Sequence, residues 1–176
     1  MYKRLAQCIR QYKKATLLTP TFVILEVVLD VIIPLLMATL IDKGIEAGNM
    51  NYILFVGGLL LATTLGALAL GAASGHYAAI ASAGLARNLR QDMFYNVQNF
   101  SFNNIDKFST ASIVTRLTTD VTNVQMAFQM MLRMAVRSPV MLVFSLIMAF
   151  VVNPELALIF LGVMPVLGIG LFTIIK

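Results

Sequence analysis

The chain has 176 residues, of which 59% are hydrophobic and only 12% are charged, and its net charge is +5. Soluble domains carry about 25% charged residues, so this composition excludes an ordinary soluble domain and indicates a membrane protein. One cysteine and one histidine are too few for a disulfide framework or a zinc cluster. The basic residues lie beside long apolar runs, which favours a role in membrane topology over nucleic-acid binding.

Four apolar runs predict an all-α, polytopic membrane protein. The transmembrane helices are expected at about residues 15–41, 52–86, 138–152 and 156–175. A helix needs about 20 residues to cross the bilayer core, so the uncharged second run must tilt or continue into the cytoplasm. The third run is short by itself, and the preceding residues can extend it.

The distribution of lysine and arginine predicts the orientation of the chain. Residues 1–14 contain five of these cations and residues 87–137 contain six, whereas the two short turns between the runs contain one and none. Positive charge stays on the cytoplasmic side, so we expect the N-terminus and the long connection 87–137 to be cytoplasmic.

The N-terminal segment 1–14 has an amphipathic pattern. Leu5, Ile9 and Tyr12 fall on one helical face with basic residues around them. This pattern is typical of a helix that lies on the cytoplasmic leaflet, and an ordinary topology anchor explains it equally well.

Small residues recur every four positions in the second run. They are Ala67, Gly71, Gly75, Ala79 and Ala83. Such a ridge lets another helix approach closely, so we expect a partner helix along it.

Two acids lie inside the first run. Glu26 and Asp30 are four residues apart, on the same helical face as Pro34. Ionisable groups in a membrane are costly and normally face a bundle interior or a wet cavity. The pair could therefore line a substrate cavity that attracts cationic amphiphiles or relays protons, or it could form hydrogen bonds between helices.

Methionines are frequent just before the third run. They include Met126, Met130, Met131 and Met134. Their flexible side chains suit a surface that accepts varied ligands, and they are equally able to fill contacts between helices.

The connection 87–137 contains neither proline nor glycine, so it is not expected to be an unstructured loop. Helical patterns continue from both flanking runs, and the polar stretch between them predicts a short tip. Phe102, Ile105 and Phe108 lie in this tip, far from lipid. Exposed apolar side chains of this kind suggest a docking surface for another protein domain.

Three motifs carry a resemblance to a known family. They are LRQDMF at 89–94, SFNNID at 101–106 and TRLTTDV at 115–121, followed by the short Asn153-Pro154 turn. The chain resembles the transmembrane domain of type I ABC exporters, in particular bacterial multidrug-type half-transporters. It departs from the family pattern at Ala111 and Ser112, where Gly and Glu are usual, and at Thr119, where Asn is usual.

The resemblance implies a six-helix domain whose second and third helices extend into the cytoplasm and meet at a coupling helix. The coupling residues are expected to be Phe102, Asn103, Asn104, Ile105, Asp106, Lys107, Phe108, Ser109 and Thr110. They would seat in a nucleotide-binding domain, which would bind ATP and Mg²⁺. Further implied partners are the lipid bilayer of the bacterial cell membrane and a second half-transporter, identical or different.

The chain itself is not expected to be an enzyme. It contains no Gly-Lys pair and hence no phosphate-binding loop, so we predict no catalytic, cofactor or metal residues in it. The segment 15–176 is expected to be an N-terminal fragment of an exporter that carries multidrug or lipophilic substrates. The alternative is a free-standing four-helix membrane scaffold or regulator that docks a different soluble partner.

Overall fold

In a computed structural model of the chain, residues 8–99 and 110–175 are described, and every regular element in these two ranges is helical. The α-helices are α1 (Lys13–Leu40), α2 (Met50–Gln98), α3 (Thr110–Thr115), α4 (Val121–Val152) and α5 (Pro154–Ile175). Shorter turns extend them: a 3₁₀ turn at Arg10–Tyr12 and π turns at Ile41–Ile45 and Arg116–Asp120. The prediction of an all-α polytopic membrane chain is confirmed.

Three stretches of the described chain are long and apolar enough to cross a membrane. They are Arg10–Ile45, Met50–Gln98 and Ala111–Val152. The predicted count of four spans is therefore not matched. Helix α5 takes the place of the fourth span and has 22 residues, but it is not one of the three stretches.

Helices α1, α2 and α4 pack against one another as a three-helix bundle, and α5 packs against α4. The buried centre contains one small or aliphatic residue from each helix, Ala15, Ala81 and Leu132. Tyr77 packs against this centre and also stacks on Phe22, with ring centroids 5.4 Å apart. Small side chains let the three backbones approach closely, as is usual between membrane helices.

The small-residue ridge of α2 only partly follows the prediction. Ala67 is buried, but Ala79 and Ala83 are exposed in the described bundle. Four residues turn an α-helix by about 400°, so a strict four-residue repeat drifts around the helix by about 40° at each step. The helices of the described bundle therefore cover only part of the ridge, and the buried face of α2 continues through Ala78 and Leu85.

The N-terminal segment packs against the lower part of α2. The side-chain amide of Asn88 donates a hydrogen bond of 2.7 Å to the Cys8 carbonyl, and Arg10 pairs with Asp92 at 2.9 Å. Arg10 has a φ of +37°, a left-handed conformation that costs a non-glycine residue about 1 kcal/mol or more. Residues 1–7 of the predicted interfacial helix lie outside the described residues.

Glycine is required where this segment crosses α2. A Cβ atom on Gly84 would overlap the ring of Tyr12, which lies directly over the helix backbone. The close approach fixes the first turn of α1 on α2, and so sets the register in which the rest of α1 packs.

The thiol of Cys8 is enclosed where the N-terminal segment packs against α2, and the cysteine is not in a disulfide. Burial raises the pKa of the thiol, and the negative charge of Asp92 raises it further. The folded state therefore holds the thiol proton more tightly than the unfolded state does. The resulting stability is present below the pKa of the unfolded thiol and is lost as the pH rises through the folded pKa.

We predict that Cys8 alkylates slowly at neutral pH, because the thiolate is the reactive form and its population is depressed. The measurement is the maleimide labelling rate of the folded complete protein between about pH 6 and about pH 10. This range brackets the usual thiol pKa of about 8.5. Cys8 should reach a given labelling rate only at a higher pH than a matched Lys14→Cys thiol in a Cys8→Ser background. Equal rates at neutral pH would show that the contact between the N-terminal segment and α2 does not enclose the Cys8 thiol.

Candidate functional site

One face of α1 points into the bundle and carries both predicted acids. Val23 and Val27 on this face are 1% and 0% exposed. Glu26 precedes Val27 and shares its side of the helix, so the packing of the two valines draws the Glu26 side chain inward. Glu26 is 8% exposed as a result.

Arg137 of α4 bridges the two acids. Its Nη1 donates to Glu26 Oε1 at 2.5 Å, and its Nη2 donates to Asp30 Oδ2 at 2.7 Å. The planar guanidinium presents its donors in a fixed fork, so it can serve two carboxylates one helical turn apart. The three side chains form a charged link between α1 and α4, which we call the Arg137 bridge.

Gly71 makes room for the buried acid. A Cβ atom on Gly71 would lie 3.1 Å from Glu26 Oε1 and 3.2 Å from its Cδ, closer than side chains normally pack. The small residue on α2 thus allows a carboxylate to fit between α1 and α2. The second carboxylate oxygen of Glu26, Oε2, is buried there without a hydrogen-bond partner among the described residues.

Glu26 and Arg137 each lie less than one bilayer thickness from the C-terminal end of their helix. At a rise of about 1.5 Å per residue, Glu26 is about 21 Å from the end of α1 at Leu40. Arg137 is about 22 Å from the end of α4 at Val152 by the same measure. Both distances are smaller than the hydrocarbon thickness of about 30 Å, and ionisable groups in such segments normally pair with one another.

A groove runs along α4 beside the bridge. It has a volume of about 500 Å³ and is lined by Met126, Gln129, Met130, Arg133, Met134 and Arg137. The three methionines are more than half exposed. The lining contains two arginines among flexible apolar side chains, and one of them, Arg137, is already paired with Glu26 and Asp30.

A second cavity lies lower in the bundle, near the predicted tip. It has a volume of about 170 Å³ between the end of α2 and the start of the Ala111–Val152 stretch, with Met93, Val97 and Leu117 among its lining residues. Above it, Arg90 donates a hydrogen bond of 3.2 Å to Thr122 and so joins α2 to α4.

The structure brings together two of the residues that the sequence singled out, Glu26 and Asp30. It adds Arg137, which the sequence analysis had counted among the cytoplasmic cations. A signal was present: two acids in an apolar run require a cation, and Arg137 directly precedes the third run. The predicted coupling residues 102–109 lie outside the described residues, and Thr110 is the first residue of α3.

Three long apolar stretches and an ion-paired cluster between the helices define a polytopic membrane domain. Comparison with protein families identifies the family to which this domain belongs. Residues 16–176 match the family model of the ABC transporter transmembrane region, and the chain belongs to this family.

Similar proteins carry ABC transporter names. The chain is 31% identical to the uncharacterized ABC transporter ATP-binding protein YfiB of Bacillus subtilis, over 86% of this chain and 26% of that protein. It is 28% identical to a Mycobacterium bovis protein of the same description, Mb1304c, over 98% of this chain and 30% of that protein. It is 25% identical to the ATP-dependent lipid A-core flippase of Pseudoalteromonas translucida, over 96% of this chain and 29% of that protein. The chain thus spans less than a third of the length of these relatives.

We predict that Gly71→Leu destabilises the protein, because the new side chain occupies the space of Glu26 and pulls the carboxylate away from Arg137. Overpacking of this kind costs about 1–3 kcal/mol. The measurement is the thermal unfolding midpoint of the complete protein in detergent.

The matched control is Gly58→Leu in the same helix, where a Cβ would meet nothing within 4 Å. Gly58→Leu should leave the midpoint nearly unchanged while Gly71→Leu lowers it by several degrees. Equal midpoints for the two variants would show that Gly71 is not packed against Glu26.

Proposed function

We propose that the chain forms the membrane-spanning part of an ATP-driven exporter in the bacterial cell membrane, with its N-terminus on the cytoplasmic side. The observation that supports this most directly is the length of α2. Its 49 residues correspond to about 74 Å, more than twice the thickness of a bilayer core. A helix of this length can carry movement from a cytoplasmic domain to the middle of the membrane.

The coupling route that we propose runs through the tip at residues 102–110. Helix α2 leads into the tip and the Ala111–Val152 stretch leads out of it, and the Arg90–Thr122 hydrogen bond holds the two together above it. Phe102, Ile105 and Phe108 would seat in an ATP-binding domain. That domain would bind ATP and Mg²⁺, since this chain has no phosphate-binding Gly-Lys motif.

A second half-transporter would complete the translocation path, as an identical or a different copy. The bundle leaves apolar surface on α2 and α4 uncovered, including Leu61, Leu65 and Leu68. Ala79 and Ala83 of the small-residue ridge are exposed as well, and they would allow close approach of a further helix. Family membership favours this exporter over the alternative of a free-standing membrane scaffold.

The substrate is proposed to be lipophilic. One relative is named as a lipid A-core flippase, and the exposed methionines of α4 suit an amphiphilic molecule. Of the two interpretations of Glu26 and Asp30, the Arg137 bridge supports the one in which they join helices. The interpretation in which they attract a cationic substrate is weaker, because Arg137 already balances much of their charge.

The test of the proposed function is an uncoupling experiment at the tip. In the complete transporter, reconstituted in vesicles, Phe102→Ala combined with Phe108→Ala should leave ATP binding intact and lower the amount of substrate moved per ATP hydrolysed. Each buried Phe side chain contributes about 1.5–3 kcal/mol to a contact, so the loss of two removes most of a local docking surface.

The matched control is Phe94→Ala, a half-exposed aromatic of α2 that precedes the tip. It should keep the wild-type ratio of transport to hydrolysis. Unchanged coupling in the double variant would contradict the coupling role of the tip and favour the scaffold alternative.

A further inference from the structure

The charges between α1 and α4 are unequally shared. Arg137 binds both acids of α1, Glu26 through Nη1 and Asp30 through Nη2. Arg133 lies four residues before Arg137, on the same side of α4, and lines the same groove. It forms no ion pair with any residue in ranges 8–99 and 110–175. The two acids and the two arginines thus have the same four-residue spacing, but one arginine holds both acids and the other holds neither.

Glu26 has an acceptor that Arg137 does not use. Its Oε1 accepts the hydrogen bond from Arg137, whereas its buried Oε2 has no hydrogen-bond partner among the described residues. A buried polar atom without a hydrogen bond is unfavourable, so a second donor at Glu26 would be stabilising. Asp30 is more exposed, with 26% of its side chain accessible against 11% for Glu26. Glu26 is therefore the acid that gains more from a further cation.

Two glycines of α2 mark the distance between Arg133 and Glu26. Nη1 of Arg133 lies 3.9 Å from the Cβ position of Gly75, and Oε1 and Oε2 of Glu26 lie 3.1 Å and 3.5 Å from that of Gly71. The two glycines are one helical turn apart, about 6 Å along α2. The guanidinium of Arg133 is therefore about one turn from the Glu26 carboxylate, and α2 has no side chain at either level.

Helices α1 and α4 run in the same direction, so a slide of one along the other can exchange the arginines. Near the start of both helices, Ala15 packs with Leu132. Further along both helices, Glu26 pairs with Arg137. A movement of α4 toward its C-terminal end by half the spacing of the arginines, about 3 Å, would give each acid its own arginine. A movement by the full turn, about 6 Å, would place Arg133 where Arg137 now lies.

We propose that α4 slides along α1 between two registers, and that Arg133 is the second partner of Glu26. In the observed register Arg137 holds both acids. In the second register α4 is displaced by about 3 Å toward its C-terminal end, Arg133 donates to Glu26, and Arg137 keeps Asp30. Packed helices have discrete alternative positions of this kind, which serve as conformational switches. The slide involves α1, α2 and α4 alone, and its use in a transport cycle rests on the proposed function.

The test removes Arg137 and follows the position of α4 without nucleotide. Spin labels on Leu17→Cys and Val151→Cys, both exposed positions, report the slide in the complete protein in nanodiscs. The native cysteines are replaced, and unlabelled protein is added in excess. Leu17 precedes Glu26 by about 14 Å and Val151 follows Arg137 by about 21 Å, so the labels are widely offset along the direction of the slide. Double electron–electron resonance measures their separation.

In Arg137→Gln, the most populated separation should lengthen by about 6 Å, because Arg133 then takes the vacant position one turn away. Arg133→Gln in the same background should abolish this shift, and Arg133→Lys should keep most of it because the charge remains. Arg133→Gln alone should keep the wild-type separation, since Arg133 forms no ion pair with the described residues in the observed register. The matched control is Arg90→Gln, which removes an arginine that contacts Thr122 and should leave the shift of Arg137→Gln intact.

An unchanged separation in Arg137→Gln, or a shift that survives Arg133→Gln, would overturn the inference. Loss of folded protein in Arg137→Gln alone would overturn it as well, because Arg133 would then not replace the missing cation.

The same labels connect the slide to transport. In the wild-type protein, ATP with vanadate should lengthen the separation by about 3 Å, the shift at which each acid has its own arginine. A shift in Arg137→Gln without any response of the wild-type protein to ATP would count against the proposed export function and not against the two registers.

Discussion

The Arg137 bridge is the interaction on which the arrangement of the membrane helices depends. Glu26 is drawn inward by the packing of Val23 and Val27, and a buried carboxylate at this depth is stable only beside a cation. Arg137 provides the cation from α4 and binds Asp30 as well. Since α1 and α4 are far apart in sequence, this side chain joins two helices that the core contact of Ala15 with Leu132 also brings together.

Helix α2 makes room for this link and also holds the N-terminal segment. Gly71 of α2 leaves space for the Glu26 carboxylate, and the lower end of α2 holds the N-terminal segment through Asn88 and Asp92. Helix α2 is thus in contact with the start of α1 at one level and with the acid pair at another. A displacement of the Gln98 end of α2 would therefore act on both levels.

The fold class could be predicted from sequence because apolar run length and the positions of lysine and arginine are local properties. Glu26 and Asp30 were also visible, since acids in an apolar run stand out. Arg137 was missed because it borders an apolar run, where an arginine serves equally as a topology signal. The drift of Ala79 and Ala83 away from the packed face was missed because a four-residue repeat does not match the period of an α-helix.

The most direct test of this account is a double-mutant cycle on Glu26→Gln and Arg137→Met. The free energy of unfolding of the complete protein is measured in mixed micelles for both single variants and the double variant. The account predicts a coupling free energy of at least about 1 kcal/mol, because Arg137→Met leaves both carboxylates without a cation and Glu26→Gln removes one of the two charges that Arg137 binds. Additive effects, with a coupling near zero, would show that Glu26 and Arg137 do not form the link between α1 and α4.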